Sequence, residues 1–343
     1  MPASDSFQHM AMLGTAIIAA SAATTIALIV WLRPWLVRYA MARPNARSSH
    51  TTPTPQGGGI AVVAATIAVT AAAVLMSAPS SLAPSLALVA AATILIALIG
   101  ATDDIRTLAV APRLFGQMLA VAIVLAGLPA DLTVTPFLPW WLERILLLIA
   151  GVWFVNLVNF MDGLDWMTVA EMVPVAGGLV LLSAFGALPP HATILALALL
   201  GALLGFAPFN KPVARLFLGD VGSLPIGLLV GYLLLLVAGN GHVAAAVLLP
   251  LYYLADATLT LLRRLGNGEK VWEAHRTHFY QRATNHGFTV PQIVGRVFAV
   301  NVGLVVLALL SIWQANWTAQ IVALLIGILL VAGLLVHFSR KRA

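Results

Sequence analysis

The 343-residue sequence contains no cysteine, and only 9% of its residues are charged, against roughly 25% in an average soluble protein. Without cysteine, the chain cannot use thiol catalysis, an iron–sulfur cluster, cysteine-ligated zinc or a disulfide framework. With so few charges, it lacks the polar surface that a water-soluble body needs. The 61% share of apolar residues also excludes a disordered chain. The class of protein that remains is one embedded in a membrane.

Long apolar runs fill the sequence, and its mean hydropathy is +0.99. A helix needs about 20 apolar residues to cross the hydrocarbon core of a bilayer. The sequence therefore predicts an all-α polytopic integral membrane protein, a single domain over residues 1–343 with about eleven transmembrane helices, or ten by a stricter reading. The predicted spans are 11–32, 59–77, 85–101, 115–130, 138–158, 167–186, 192–208, 223–239, 243–262, 292–313 and 318–337.

The basic residues lie almost entirely on one side of these spans. When successive loops are assigned to alternate faces, all 18 lysines and arginines except Arg144 fall on the same face. The positive-inside rule makes that face cytoplasmic, with a periplasmic N-terminus and a cytoplasmic C-terminus. The first ten residues contain Asp5 and no basic residue, so they lack the charged region of a signal peptide. The net charge of +6 then reflects topology and contact with anionic membrane lipids, not nucleic acid.

Two inner segments carry closely spaced acids. Asp103 and Asp104 follow the third predicted span, at the membrane surface. Asn159 and Asp162 are three residues apart, as are Asp162 and Asp165, and on a helix this spacing puts side chains on one face. Acids at the edge of a membrane span need compensation, most simply from a metal or a donor-rich ligand.

Glycine marks another inner segment. Gly57, Gly58 and Gly59 open the second predicted span, shortly after Arg47 and His50. A glycine-rich turn that opens a helix presents free N–H groups to an anion. The alternative is a flexible connector.

Two further inner segments are rich in polar residues. One leads into a predicted span, and the other follows a predicted span. Gly219, Asp220 and Ser223 lead into the eighth predicted span, where Asp220 has the alternative role of a helix N-cap. Residues 263–287 form the longest polar stretch, and His275 and His278 are expected to share a helical face. Histidine and arginine together suit phosphate recognition, whereas the alternative is an amphipathic helix lying on lipid head groups.

Asp256 lies inside the ninth predicted span, and we expect it to pair with Arg263 or Arg264. Taken together, the inner segments bring acids and cations to one membrane face. That combination suits a hard divalent cation and a polyphosphate, because Mg²⁺ takes a few carboxylates and leaves other positions to water and substrate phosphate. No Walker motif is present, which argues against an ATPase.

The five segments read TPQGGG, TDD, NLVNFMDGLD, FLGDVGS and AHRTHFYQRA, in this order along the chain. In these motifs, and over most of its length, the sequence resembles the polyprenyl-phosphate N-acetylhexosamine-1-phosphate transferases (the MraY/WecA superfamily, glycosyltransferase family 4). The last motif is more similar to the O-antigen and lipopolysaccharide initiating branch than to the muramyl-pentapeptide branch, which usually shows a run of histidines there. One position departs from the family pattern: where relatives typically read DGxDG, Trp166 replaces the second glycine.

The resemblance implies an enzyme of the bacterial inner membrane that performs the first membrane step of a cell-surface polysaccharide pathway. Such an enzyme transfers N-acetylhexosamine-1-phosphate from a UDP-N-acetylhexosamine to undecaprenyl phosphate and releases UMP. Its implied cofactor is Mg²⁺, with Mn²⁺ as a substitute. Its implied partners are the two substrates and membrane lipids, and alanine- and glycine-rich helix faces suit a homodimer.

Carried over motif by motif, the resemblance implies a role for each candidate residue. Asp103 and Asp104 are the implied catalytic residues, and Asn159 and Asp220 the implied metal ligands. The implied nucleotide-binding residues are Asp162, Asp165, Gly219 and Ser223. The implied phosphate-binding residues are His275, Arg276, His278 and Arg282. The residues implied to lie near the acceptor and the sugar are Arg47, His50, Gly57, Gly58 and Gly59.

Two other functions stay open from the sequence. One is a transporter or flippase for a phosphorylated lipid, although transporters tend to show inverted repeats and charged sites near the bilayer midplane. The other is an inactive lipid-binding homologue, which Trp166 keeps in consideration. The sequence does not identify the sugar, which could be GlcNAc, FucNAc, QuiNAc or another N-acetylhexosamine.

Overall fold

The computed structural model describes residues 3–42, 53–77, 84–271, 275–314 and 316–341. In that part of the chain, the backbone forms thirteen helices and a short two-stranded ribbon. The elements are α1 (Ala3–Tyr39), β1 (Met41–Ala42), β2 (Thr54–Pro55), α2 (Gly59–Ser77), α3 (Pro84–Ile105), α4 (Val110–Ala126), α5 (Trp140–Met161), α6 (Met167–Ser183), α7 (Pro190–Phe206), α8 (Asp220–Gly239), α9 (Val243–Leu248), α10 (Leu251–Gly266), α11 (Phe279–Asn285), α12 (Val290–Trp313) and α13 (Trp317–Ser339).

The architecture is that of an all-α polytopic membrane protein. Among the described residues, seven helices are long and apolar enough to cross a membrane, namely α1, α2, α3, α5, α8, α12 and α13. Three shorter apolar helices, α4, α6 and α7, accompany them. The number of spans and their orientation stay predictions.

The ninth predicted span, residues 243–262, is not one helix. Helix α9 ends at Leu248 and α10 begins at Leu251. Pro250 lies between them, and it has no N–H to donate to the carbonyl one turn earlier. The second part then continues to Gly266, beyond the apolar residues, and carries Asp256, whose side chain is buried.

Three helices extend further at the site end than the apolar pattern predicts. Helix α3 runs to Ile105 instead of residue 101, α5 runs to Met161 instead of 158, and α8 begins at Asp220 instead of 223. The candidate residues that we expected on cytoplasmic loops therefore lie on the last or first turns of helices. A span predicted from hydropathy ends at the first polar residue, whereas the helix itself continues where its polar side chains form hydrogen bonds.

Helix α8 is the centre of this arrangement, since all but a few of its residues are buried. Two glycines let neighbouring helices approach its first turn. A Cβ atom on Gly100 of α3 would lie 2.3 Å from the carbonyl oxygen of Asp220. A Cβ atom on Gly59 of α2 would lie 2.1 Å from the Cα atom of Gly222. The ends of α2 and α3 thus meet the start of α8 without intervening side chains.

Candidate active site

Asp220, in the first turn of α8, links two other helices. The Asn159 side chain, in the last turn of α5, donates from Nδ2 to Asp220 Oδ1 at 2.7 Å and to Ser223 Oγ at 2.9 Å. The carboxyl groups of Asp103 and Asp220 lie close enough to interact directly. The structure therefore brings Asp103, Asn159 and Asp220 together from three helices.

Asp104 holds the N-terminus of α8. Its Oδ1 accepts the Asp220 N–H at 2.9 Å, and its Oδ2 accepts the Val221 N–H at 3.0 Å. The Gln56 side chain also donates to Oδ1, at 3.0 Å. Gly219 precedes this turn with φ +78°, and a Cβ atom there would lie 2.6 Å from Asp104 Oδ2. The N-cap role that we considered for Asp220 thus belongs to the Asp104 side chain, and Gly219 is needed for the close approach.

Asp103 has a basic partner that the sequence analysis missed. Its Oδ2 lies 2.8 Å from Arg113 NH1, and its Oδ1 accepts the Leu108 N–H at 2.6 Å. We define the acidic cluster as Asp103, Asp104, Asp162 and Asp220. In the described part of the chain, Arg113 is the one basic side chain that hydrogen-bonds a member of this cluster. The cluster carries more negative than positive charge.

Asp162 follows the last residue of α5 and completes the cluster. Burial, together with the nearby carboxylates of Asp220, Asp104 and Asp165, raises the pKa of Asp162 to about 8. The Thr168 hydroxyl donates to Asp162 and opposes this rise. A cation placed among these groups would favour the ionised form of Asp162.

The donor chemistry of the cluster fits Mg²⁺. Asp103, Asp220 and Asn159 offer the oxygen ligands that this ion prefers, provided that the Asn159 amide presents Oδ1 in place of Nδ2. Within the described ranges, no group of three or more His, Asp or Glu side chains is arranged so that it could hold a metal ion by itself. An ion here would keep positions for water or for phosphate oxygens, as Mg²⁺ does at phosphoryl-transfer sites.

The connection between α5 and α6 is fixed to the connection between α7 and α8. Asp165 Oδ2 accepts the Ala214 N–H at 2.9 Å. Trp166, the N-cap of α6, donates its backbone N–H to Asn210 Oδ1 at 2.8 Å and its indole N–H to the Ala207 carbonyl at 2.6 Å. Its φ of +63° is the single positive value at a non-glycine residue in the described chain. This conformation explains why glycine suits the position, and the two hydrogen bonds show what holds tryptophan there.

The segment before α11 carries His275, Arg276 and His278, and it reaches the α5–α6 connection. The Tyr280 hydroxyl donates to the Phe160 carbonyl at 3.0 Å. We expected His275 and His278 to share a helical face, but neither lies within a helix, because α11 begins at Phe279. Their rings nevertheless stack, with centroids 4.9 Å apart. Arg282 lies within α11 and is half-buried.

Asp256 does not pair with Arg263 or Arg264. Its carboxylate accepts the backbone N–H groups of Phe279 and Tyr280 at 2.9 and 3.1 Å, and it lies 3.3 Å from His278 Nδ1. The expected pairing assumed neighbours along one helix, whereas α11 returns over α10 and presents its free N–H groups. Asp256 is thus a functional candidate. Its one signal in the sequence is its position inside an apolar run.

Two of the three glycines of the TPQGGG segment, Gly58 and Gly59, do not present free N–H groups. The Gly58 and Gly59 N–H groups donate to the carbonyls of Phe217 and Leu218, both at 2.9 Å. The expectation of an anion-binding turn at these two amides is wrong, because the glycines allow α2 to pack on the start of α8. Gly57 lies in this turn with φ +104°. Arg47 and His50 lie outside the described residues.

Gln56, Arg113, Thr168 and Asp256 are the side chains around the site that the sequence analysis missed or paired differently. Each contacts a candidate acid or the segment that carries a candidate residue. Gln56 lies within the TPQGGG motif and Arg113 follows Asp103 by ten residues, but no spacing rule connects either side chain to its partner.

Comparison with known proteins locates the similarity in the same region. Residues 86–238 match the model of glycosyl transferase family 4. A probable undecaprenyl-phosphate N-acetylglucosaminyl 1-phosphate transferase of Bacillus subtilis is 27% identical over 300 residues, which cover 80% of this chain and 79% of the relative. A decaprenyl-phosphate N-acetylglucosaminephosphotransferase of Mycolicibacterium smegmatis is 28% identical over 298 residues, 75% of this chain and 72% of the relative.

A third relative matches over a shorter stretch. A phospho-N-acetylmuramoyl-pentapeptide-transferase of Oceanobacillus iheyensis is 36% identical over 88 residues, which cover 25% of this chain and 27% of the relative. The residues that match the family model include all four members of the acidic cluster and Asn159.

Proposed function

Because the chain belongs to the polyprenyl-phosphate N-acetylhexosamine-1-phosphate transferase superfamily, in glycosyl transferase family 4, we propose that it transfers a sugar phosphate from a UDP-N-acetylhexosamine to undecaprenyl phosphate. The products are undecaprenyl-diphospho-N-acetylhexosamine and UMP. This reaction is a first membrane step of a cell-surface polysaccharide pathway, such as that of lipopolysaccharide O-antigen, at the bacterial inner membrane.

The observation that carries this proposal is the meeting of Asp103, Asn159 and Asp220 at the ends of three helices. Transfer of a sugar phosphate brings an acceptor phosphate towards a diphosphate, so several negative charges must come together. Phosphoryl transfer depends mainly on positioning and on neutralising this charge. Among the described residues, the carboxylates of the cluster outnumber their one basic partner, Arg113, and this excess suits a site that is completed by a cation.

We assign Mg²⁺ to Asp220 and Asn159, with Asp103 beside them and Mn²⁺ as a substitute. When bound, the cation would neutralise diphosphate oxygens as charge develops on the leaving UMP. Asp104 keeps the first turn of α8 in place, so that Asp220 faces Asn159. The nucleotide would contact the surface that four residues form or support, namely Asp162, Asp165, Gly219 and Ser223.

The acceptor needs no strong general base. In the transfer, an acceptor phosphate oxygen attacks the phosphorus that bears the sugar, and the bond from that phosphorus to the bridging oxygen of UMP breaks. A phosphate monoester has a second pKa near about 6, so most of the acceptor is already ionised at pH 7. We therefore assign Asp103 and Asp104 to the positioning of the cation, its water shell and α8, and not to proton abstraction.

An apolar cavity of about 230 Å³ lies between α4, α5, α8 and α10 and supports an isoprenoid acceptor. Its lining includes Val155 and Gly227, each four residues from a residue of the site, Asn159 and Ser223 respectively. On a helix, four residues correspond to about 6 Å. An acceptor lipid whose phosphate lies beside Asn159 would thus place its isoprenoid chain inside this cavity.

The segment with His275, Arg276 and His278 is proposed to contact the phosphates, with Arg282 behind it. It lies against the α5–α6 connection through the contact between Tyr280 and Phe160. The Arg276 guanidinium there would supply positive charge to the phosphates, and the two histidine rings would supply further hydrogen-bonding groups. Arg47, His50 and Gly57 are proposed to lie near the acceptor and the sugar.

The test is a transfer assay with purified protein, undecaprenyl phosphate, Mg²⁺ and a panel of UDP-sugars that includes GlcNAc, FucNAc and QuiNAc. We expect UMP and a lipid diphospho-sugar in equal amounts with at least one sugar, and no product in EDTA. The D131N protein serves as a control, because Asp131 is exposed and precedes α5, whose opposite end carries Asn159. No product with any sugar in Mg²⁺ or Mn²⁺ would favour an inactive lipid-binding protein, and translocation without UMP would favour a flippase.

A further inference from the structure

A second cavity, of about 450 Å³, lies outside the candidate active site. It is formed by one face of α1 near its C-terminal end, which the positive-inside rule predicts to be cytoplasmic, and by the connection between α7 and α8. Its lining residues are Val30, Arg33, Pro34, Val37, Phe209 and Arg215. The four on α1 follow the spacing i, i+3, i+4 and i+7, which defines one helix face.

Exposed aromatic residues beside the cavity indicate the depth of the lipid head groups. Trp31, Trp35 and Tyr39 are all exposed on the same part of α1, with 67%, 58% and 65% of their surfaces accessible. Tryptophan and tyrosine concentrate where the hydrocarbon core meets the head groups. Val30 and Val37 are also exposed, so the cavity has an apolar wall that faces the bilayer.

Two arginines supply the polar part of the cavity. Arg33 and Arg215 come from elements far apart in sequence, and both are exposed. Neither guanidinium forms a hydrogen bond or ion pair with any residue in the described part of the chain, and none of the described residues that line the cavity is acidic. Two guanidinium groups without a carboxylate favour an anion, and their planar geometry matches phosphate oxygens.

We propose that this cavity binds an anionic glycerophospholipid of the cytoplasmic leaflet. Its phosphate lies between Arg33 and Arg215, and an acyl chain follows the face of α1 that contains Val30 and Val37. A soluble phosphate would leave the apolar wall exposed to water. A zwitterionic lipid would bring its ammonium group near two guanidinium groups, so a head group with net negative charge is favoured.

The bound lipid would stabilise the connection between α7 and α8, which leads to the active site. Arg215 follows Ala214, whose N–H donates to Asp165, and precedes Leu216, whose carbonyl accepts from Asn210 at 3.0 Å. The same connection continues through Phe217 to Asp220. The lipid site is separate from the proposed transferase reaction and does not depend on it.

The test measures lipid binding without any transferase assay. Purified protein is exchanged into phosphatidylcholine nanodiscs with increasing phosphatidylglycerol, and lipid retention is measured by native mass spectrometry beside the melting temperature. We expect phosphatidylglycerol to remain bound and to raise the melting temperature of the wild-type protein. The R33Q/R215Q protein should bind it more weakly, by about fivefold for each arginine removed. R33K/R215K should be intermediate, because lysine keeps the charge but not the bidentate geometry.

R38Q is the matched control, because Arg38 is exposed at the same end of α1 and does not line the cavity. Equal loss of phosphatidylglycerol in R38Q and R33Q/R215Q would overturn the proposal and indicate general surface attraction. Equal stabilisation by inorganic phosphate would identify a soluble-anion site instead. Displacement of phosphatidylglycerol from Arg33 and Arg215 by undecaprenyl phosphate would assign the cavity to the acceptor and would also overturn the proposal.

Discussion

At the scale of single residues, Asp103 provides a test of how charge is used in the active site. It contacts both Arg113 and Asp220, so it can position the cation or remove a proton. We expect D103N to lower kcat by about 10²-fold at every pH between 6 and 9, a loss typical of removing one electrostatic contact. The measurement is UMP release across that pH range, with D131N as a control. Recovery of D103N activity at high pH would instead assign Asp103 as a base, because alkali would then replace its proton-accepting role.

Trp166 allows a test of backbone conformation by two truncations. Both W166G and W166A remove the indole that donates to the Ala207 carbonyl, but they differ in how they tolerate a φ of +63°. We expect the free energy of unfolding to be about 1 kcal/mol higher for W166G than for W166A, because glycine adopts this region without a Cβ clash. Elsewhere in a helix or strand, glycine is normally the less stable of the two. Chemical unfolding in detergent measures the difference, and W166A as the more stable variant would contradict the left-handed conformation.

Individual partners could not be predicted from the sequence for Trp166 or Asp256. The family pattern identified the Trp166 position as unusual, but its anchors, Asn210 and Ala207, lie 44 and 41 residues away in sequence. Asp256 was recognised as an intramembrane acid. Two of its partners, Tyr252 and Thr260, lie four residues away on α10. The partners that attach it to the next segment lie 22 to 24 residues away, across a connection. Spacing rules describe one helix at a time, so they missed contacts that form only when two helices pack.

At the scale of elements, Asp256 attaches α11 to α10. We expect D256A to destabilise this attachment by about 3–5 kcal/mol, because a buried partner is removed from His278 and from two backbone N–H groups. Hydrogen exchange in residues 275–285 should rise more than in α12. D256N should have a smaller effect, since its amide oxygen still accepts a hydrogen bond. Unchanged exchange in 275–285 of D256A would show that Asp256 does not hold α11.

The type of element was more predictable than its ends. The long apolar runs identified the long helices. The structure contains one helix in each predicted span except 243–262, which is divided at Pro250. The end residues of α3, α5 and α8 were missed because hydropathy ignores the hydrogen bonds that extend a helix through Asp103, Asn159 and Asp220. The role of Gly59 also depends on a neighbouring helix, since only contact with Gly222 makes its missing side chain necessary.

At the scale of the whole molecule, the raised pKa of Asp162 couples cation binding to pH. The pKa is about 8 in the folded protein, against 3.8 as the ordinary value. Between these values the folded protein binds the extra proton, so this group lowers the free energy of unfolding as pH rises from about 4 to about 8. A cation that favours ionised Asp162 displaces the proton and therefore binds more tightly at higher pH.

We expect the affinity for Mg²⁺ to rise about 25-fold between pH 6.5 and 8.5, if one proton with this pKa is released per ion. The measurement is the Mg²⁺-dependent increase in melting temperature at the two pH values. The D162N protein is the control, and its Mg²⁺ affinity should depend much less on pH. An affinity that does not change with pH in the wild-type protein would show that Asp162 is not coupled to the cation.

The central claim is that the ends of α3, α5 and α8 form one site for a cation and a diphosphate. Its most direct test is electron paramagnetic resonance of Mn²⁺ bound to the purified protein, with and without a UDP-N-acetylhexosamine. We predict one tightly bound Mn²⁺ whose spectrum gains coupling to phosphorus when the nucleotide sugar is added, and at least tenfold weaker binding in D220N and N159A. Mn²⁺ binding that is unaffected by both substitutions, or that never shows phosphorus coupling, would contradict the shared site.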